Sequence, residues 1–480
     1  MRHRTASLKS LLLLCVLTIG FVQTHAFSAD SRDTIDSLLQ THRKNADVPG
    51  IAAAILQDGR TVYSAAKGKE ASGGSLETSS PMCIGSLSKS FTALGVLLLE
   101  ERGAVDLDAP VRRYIPYFRV ADRQLSGEIT VRDLLYQESG LARENSVPSS
   151  DYGSSLEERV RELSDMEKSA ERGEEFNYLN DHYNILGLLI EEVTGKTYAS
   201  YMQEHIFTPL GMEHTTANPA AIRQMQLSGY TSIFGISKRM KHRLPRYDIP
   251  SGYIVSNLQD MTRYLSFLIN PEQDIISSAA ITKLRSTSEH SDYGMGWHVS
   301  ERGGHTVFEH SGAVPAFSSH IEFTPETGSG YVYLINKNHL LYHFLPVYKN
   351  LNNNLSQVIA GNDDFRHFPS IWLLRIVSLL IVFFAGRDVW KTVKLIKAKK
   401  SRGAWRKEAI QAVALFLLLA LGIPFLLKNV LSLGLDPVVM FSYMPDFTAL
   451  LLLAIVVQAA RLLISVLHIF ADSHSAARKS

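Results

Sequence analysis

Apolar residues are placed very unevenly along this 480-residue chain, and that placement limits what it can fold into. Three long apolar stretches follow Pro369: "SIWLLRIVSLLIVFFA" (370–385), "AIQAVALFLLLALGIPFLL" (409–427) and "TALLLLAIVVQAARLLISVLHIF" (448–470). A helix needs about 20 residues to cross a bilayer, so the second and third suffice and the first is slightly short. Trp372 and Trp390 bracket the first and would extend it into the interfaces. The connection at 386–408 is crowded with Lys and Arg, whereas 428–446 carries Lys428 as its one basic residue. The positive-inside rule puts the first connection in the cytoplasm, and everything before Pro369 outside. Gln458, Arg461, Ser465 and His468 share a helical face, which is read as turned toward the other helices.

The N-terminus agrees with that orientation. Arg2, Arg4 and Lys9 precede an apolar run at 11–22, and the small residues Ala26 and Ala29 follow, as in a secretory signal; an uncleaved anchor is the alternative. If the signal is removed, Cys83 is the remaining cysteine, so no intrachain disulfide or cysteine metal cluster is expected, and buried packing is its expected role. A formal net charge of +2 does not favour nucleic-acid binding. The resulting plan is a signal peptide at 1–29, an outer domain at 30–353, a linker at 354–369, three transmembrane helices at 370–470 and a cytoplasmic tail at 471–480. The expected location is the cell membrane, multi-pass, with lipid as the partner of the helices.

Within the outer domain both ends look β and the middle helical. "IAAAILQDGRTVYSAAKG" sets two strand-like runs around Asp58-Gly59, a hairpin turn signal. Strand-like runs split by Gly and Pro return at 305–338. Between them, "SFTALGVLLLEERG" and "NILGLLIEEVTG" read as helices stopped at Gly103 and Gly195. An α+β fold follows, with one sheet built from both ends and a helical lobe between.

Two S-x-x-K patterns occur, Ser64/Lys67 and Ser86/Lys89. The first lies on the second arm of the hairpin, where residues i and i+3 point to opposite faces. The second opens a helix, where i and i+3 share a face and the amine can reach the hydroxyl. A serine hydroxyl needs a proton acceptor to attack a carbonyl, and a lysine serves only if burial or a neighbouring cation keeps it neutral. Further polar partners are therefore expected. "FNYLNDHYN" offers Tyr178 and Asn180, and "FEHSGAVPAF" offers His310, Gly312 and Ala313. A second Y-x-N, Tyr348 to Asn350, lies in the polar stretch before the apolar segments and is set aside.

Ser-x-x-Lys, Tyr-x-Asn and His-x-Gly in that order resemble the serine β-lactamase and penicillin-binding protein superfamily. The similarity is greatest to the branch of class C β-lactamases, D-alanyl-D-alanine carboxypeptidases and related esterases. Supporting segments are "VPGIAAAI", "GAVDLDAPVRRYIP", "FTPLGMEHT" and "YGMGW". The resemblance implies a β-lactamase-like domain, an antiparallel sheet flanked by helices, with an acyl-enzyme mechanism and no cofactor or metal. Ser86 would be the nucleophile, with Lys89 and Tyr178 sharing the acid and base work. Asn180 would hydrogen-bond Lys89 or a substrate amide. His310 stands where many relatives have lysine and would bind or polarise the substrate's carboxylate side, with Gly312 beside it on the substrate strand. The N–H groups of Ser86 and Ala313 would form the oxyanion hole. Two departures stand out. Gln137 in "LLYQESGL" replaces a usual histidine, and Ala313 and Ala316 stand where glycine is frequent, which would narrow the cleft.

The function expected is an exported, membrane-anchored serine hydrolase acting on amide or ester bonds of a small peptide-like substrate, next to D-amino acids. Cell-wall peptide trimming and maturation of a secreted peptide are both open; peptidases that remove an acylated D-amino-acid cap share the outer domain and three C-terminal helices. The alternatives are a β-lactamase or esterase of the same fold, or a ligand-binding sensor.

Overall fold

The computed structural model describes residues 29–142, 153–271, 275–362, 364–367, 371–398, 401–422 and 437–477. Of the signal peptide expected at 1–29, residues 1–28 lie outside them, and Ala29 opens the first helix.

Ten strands are described: β1 (Gly50–Gln57), β2 (Arg60–Gly68), β3 (Met82–Cys83), β4 (Ser228–Ile233), β5 (Ile236–Lys241), β6 (Val255–Ser256), β7 (His298–Arg302), β8 (His305–Val314), β9 (Phe317–Thr324) and β10 (Ser329–Ile335). Six form one antiparallel sheet in the order β2-β1-β10-β9-β8-β7, built from both ends of the domain as its sequence pattern implies. Asp58 and Gly59 both take positive φ, 49° and 70°, and close the β1–β2 hairpin. That pair of conformations matches the right-handed twist of the strands it joins. β1 is continuously apolar because both its faces are covered. Ala52, Ala54 and Leu56 point into the larger core, and Ile51, Ala53 and Ile55 into a second one.

The helices that matter here are α1 (Ala29–Asn45), α2 (Ser88–Glu101), α3 (Asn180–Thr194), α4 (Leu258–Ile269) and α5 (Val347–Ile359). α1 and α5 cover one face of the sheet through Ile35, Leu39, Leu351 and Leu355. On the other face α2 is buried from Ser88 to Leu99, as befits a helix apolar nearly all round. α3 stops at Gly195, whose φ of 66° lets its N–H return to the Glu191 carbonyl. Cys83 is buried; its thiol points at the Gly252 carbonyl, and burial pushes its pKa up to about 12. The linker expected from 354 begins inside α5, which continues to Ile359 and buries Leu355 and Val358. Tyr348 packs in the same helix, its hydroxyl on the Lys337 carbonyl.

After this domain come α6 (Ile371–Ile396), α7 (Arg402–Leu417), α8 (Pro437–Tyr443) and α9 (Pro445–Ala477). Among the described residues one stretch, Pro445–Ala471, is long and apolar enough to cross a membrane, where three were expected. α6 fails because Arg375, Arg387 and Asp388 interrupt it, leaving eleven uncharged residues (376–386) between the first two. At about 1.5 Å per residue those reach roughly half of a 30 Å hydrocarbon layer. The second segment is described only to Gly422. The stripe on α9 faces its neighbours. Arg461 pairs with Asp388 of α6 (3.0 Å) and Glu408 of α7 (3.2 Å), Gln458 donates to Asp388 (2.8 Å), and His468 stacks on Trp405.

In the full chain, Leu355→Ala is expected to lower unfolding stability by about 2–5 kcal/mol, the range for a buried leucine. Urea denaturation of the purified protein checks this; a change under about 0.5 kcal/mol would mean that 354–359 behaves as an exposed linker.

Candidate active site

The two S-x-x-K pairs separate as strand and helix geometry require. Ser64 is exposed on β2, and Lys67 points to the other face, bonded to Asp36 of α1 at 2.6 Å. Ser86 sits in a tight turn, Gly85–Leu87, that runs straight into α2, and Lys89 lies one turn on. Lys89 is fully buried, while Ser86 is only partly covered and remains reachable from outside.

The Lys89 Nζ has three acceptors: Asn180 Oδ1 at 2.7 Å, the Ser251 carbonyl at 2.7 Å and Ser86 Oγ at 3.2 Å. Burial pushes its pKa down to about 7, against a smaller opposing pull from Asp248. A neutral amine keeps two N–H groups, which suit the two shorter contacts. Its lone pair is then left for the Ser86 hydroxyl, as a base requires. The Tyr178 ring lies beside the same amine, with Nζ 4.7 Å from its centroid. Asn180 is the first residue of α3, so the Y-x-N pattern places its tyrosine just before that helix and its asparagine on it.

β8 forms the opposite wall. Val314 and Phe317 face each other across the Pro315-Ala316 turn, and Ala313 and Ser318 form the next pair. Ladder hydrogen bonds alternate, so Ala313 turns both its N–H and its C=O away from β9. The carbonyl indeed accepts from Tyr443 Oη of α8 on that outer side, at 3.3 Å. Two glycines bring this edge against Ser86. A Cβ on Gly85 would lie 2.4 Å from the Ala313 nitrogen, and one on Gly312 would lie 2.1 Å from the Ile84 carbonyl. Gly85 also takes φ 57°. Ala316 stands at the turn with φ 76° and is fully buried.

His310 is buried on this strand. Its Nδ1–H donates to the Ser311 carbonyl (2.8 Å), leaving Nε2 to accept from Tyr293 Oη (3.4 Å). Burial, with His298 and Lys89 nearby, holds its pKa well below the ordinary value, so the ring is neutral. Phe176, Tyr178, Tyr293 and His298 pack around it as an aromatic wall.

Several positioning residues carry no motif. Gln137, held at φ 63° and fully buried, accepts from the Leu179 N–H (2.8 Å) and from His182 Nδ1 (2.5 Å), and its own carbonyl accepts from the Asn177 N–H. It thus braces the Tyr178 segment from behind. Asp248 accepts from Asn184 (2.9 Å) and Ser251 (2.5 Å) and fixes the turn whose carbonyl meets Lys89. Glu309, His320 and Glu322 come within 4.8 Å of one another away from Ser86, but Arg302 already bridges both carboxylates, at 2.8 and 2.9 Å.

A partly exposed serine beside a buried, near-neutral lysine, with a strand edge pressed against it, is the arrangement a serine hydrolase requires. Residues 35–345 match the Beta-lactamase family model, and the chain belongs to that family. It is 26% identical to Protein flp of Staphylococcus aureus (strain MW2), over 75% of this chain and 76% of that one. The structure of an octameric penicillin-binding protein homologue from Pyrococcus abyssi superposes with a TM-score of 0.60 at 25% identity, covering 71% of this chain and 80% of that one. A D-amino acid amidase from Ochrobactrum anthropi SV3 shares the fold, with a TM-score of 0.59 at 23% identity, over 69% and 99% of the two chains.

Because the base must be neutral, the rate of Ser86 acylation is expected to rise with unit slope up to about pH 7 and level off above it. Stopped-flow acylation with a chromogenic ester measures this; a rate flat from about pH 5 to 9 would exclude Lys89 as the titrating base. Gly312→Ala is expected to push β8 off the Ile84 carbonyl and slow acylation by about 100-fold, the scale for losing one oxyanion donor. Thermal unfolding run alongside separates this from loss of the fold.

Proposed function

We propose that this protein hydrolyses amide or ester bonds of small peptide-like substrates through an acyl-enzyme on Ser86, next to a D-amino acid. The observation that carries it is the Lys89 amine, buried, near neutrality and 3.2 Å from Ser86 Oγ. Ser86 Oγ attacks the carbonyl carbon and its proton passes to Lys89. The oxyanion is held by the N–H groups of Ser86 and Ala313. Collapse breaks the bond to the leaving amine or alcohol, which takes a proton through Lys89 and Tyr178. Water then attacks the ester in the same way and frees Ser86. Asn180, His310 and Gly312 line the bound substrate.

The neutral His310 bears on the choice of substrate. A position that would carry a cation for a free carboxylate carries an uncharged ring. This supports substrates whose bond is followed by an uncharged group, an amide or ester, over peptides ending in a free carboxylate. We further propose that α6, α7 and α9 sit together in the membrane with the hydrolase domain outside. The Asp388–Arg461–Glu408 network joins them, and Leu379, Phe383, Ile410, Val456 and Leu463 face outward.

Turnover of D- and L-amino-acid amides, esters and free-acid dipeptides by the full chain tests this, beside Ser86→Ala. D-configured amides or esters are expected to exceed the matching free acids by about tenfold or more in kcat/KM, and Ser86→Ala to lose about 1000-fold or more. Preference for the free acid would overturn the substrate reading. Undiminished turnover by Ser86→Ala would overturn the mechanism. Intact mass after penicillin treatment separates the β-lactamase alternative: fast penicillin consumption without a lasting adduct would favour it.

A further inference from the structure

β4 and β5 form a two-stranded ribbon apart from the main sheet, paired from Ser228↔Lys241 to Ile233↔Ile236. Its tip, Phe234-Gly235, takes φ 50° and 75°, a tight hairpin turn. That tip is fixed to the starts of two apolar helices. The Phe234 N–H donates to Asp446 Oδ2 in the first turn of α9 (2.8 Å), and the Gly235 carbonyl accepts from Arg375 Nε near the start of α6 (3.0 Å). Arg375 lies over the Trp372 ring, which is 64% exposed, and Ile236 beside the tip is 50% exposed. An exposed tryptophan at the start of α6, level with an exposed isoleucine at the ribbon tip, marks where a bilayer interface begins.

Directly above the tip the ribbon turns basic. From Ser228 to Tyr247 the chain has no Asp or Glu, and it carries Lys238, Arg239, Lys241, Arg243 and Arg246. The first four are exposed, and among the described residues they have no ion-pair partner. The acids at the tip are already taken: Asp47 by Arg375 and Lys337, and Asp446 by His339. At about 3.3 Å per residue, Lys238 and Arg239 lie within roughly 13 Å of Gly235. That is within reach of headgroup phosphates across about one Debye length.

We propose that the β4–β5 ribbon is a docking surface for anionic lipid headgroups of the membrane that holds the C-terminal helices. The proposal rests on the membrane placement given above. The ribbon's tip enters the interface at Ile236, and Lys238, Arg239 and Lys241 contact phosphates there, with Arg243 behind them. Continuity with α6 and α9 and unbalanced positive charge both select a lipid surface as the occupant.

The test is lysine footprinting of the full chain in lipid nanodiscs, either phosphatidylcholine alone or with about one third phosphatidylglycerol. Acetylation of Lys238 and Lys241 is read by mass spectrometry against Lys196, which lies beyond the end of α3. In anionic discs both ribbon lysines are expected to react about fivefold more slowly, an effect abolished at high salt and by Arg239→Glu with Arg243→Glu. Equal rates in the two lipids, with the chain resisting carbonate extraction, would overturn the headgroup proposal and leave the membrane placement standing. Release of the chain by carbonate would overturn both.

Discussion

The active site depends on holding one lysine amine where water cannot reach it. An ammonium in that position is costly, and the cost is what brings the Lys89 pKa to about 7. Burial alone would leave an unpaired polar group. The Ser251 carbonyl and Asn180 Oδ1 prevent that, from positions 162 and 91 residues away in sequence. Protonated, the amine has three acceptors for three hydrogens; neutral, it has two for two and a lone pair toward Ser86. Neither state strands a hydrogen, so the proton can come and go without the surroundings rearranging.

The rest of the domain serves that arrangement. α2 carries Lys89, continues directly from the turn that holds Ser86, and is buried on nearly every side, so neither can drift relative to the sheet. β8 is pressed against the turn before α2 by two positions where a side chain does not fit, Gly85 and Gly312. The Tyr178 segment is braced by Gln137 and by His182, which burial holds at a pKa of about 3 and so keeps neutral. Ser139 completes this strut, at 2.6 Å from His182 Nε2. Gln137 suits this place because its amide oxygen has two lone pairs and accepts both N–H hydrogen bonds.

Short-range pattern made much of this legible in the sequence. Asp58-Gly59 gave the hairpin, the glycines after α2 and α3 gave their ends, and strand-against-helix geometry told Ser86/Lys89 from Ser64/Lys67. What stayed hidden acts through the backbone or over long distances. The Ser251 carbonyl contact is independent of side-chain type, so no residue pattern marks it. Gln137 read as a departure because its role lies in what it faces. The end of the domain was misplaced for a different reason: "NNNLSQVIAG" is polar in composition, yet Leu351, Leu355 and Val358 are spaced i, i+4, i+7 on the face of α5 that meets the sheet. Composition concealed a periodicity that was present. α6 shows the converse, since its apolar run has the composition of a span but is cut by Arg375, Arg387 and Asp388, the last of which pairs with Arg461 of α9.

Two walls of the site are continuous with segments that touch the C-terminal helices. The strand leaving the ribbon, β5, leads within seven residues to Asp248 and then Ser251, whose carbonyl holds Lys89. On the other wall, Tyr443 of α8 donates to the carbonyl of Ala313, the residue proposed to supply an oxyanion N–H. Its backbone is tied in turn, through the Leu340 N–H, to the segment that follows β10. A hydrogen bond to a carbonyl polarises the peptide it belongs to, but the N–H of Ala313 belongs to the preceding peptide; what Tyr443 can fix is therefore the position of the strand edge. A tether joined by a flexible linker would have no effect on the site. Here α5 runs to within a dozen residues of α6, and α8 bonds directly to β8, so the C-terminal helices are tied to the hydrolase domain at more than the chain connection.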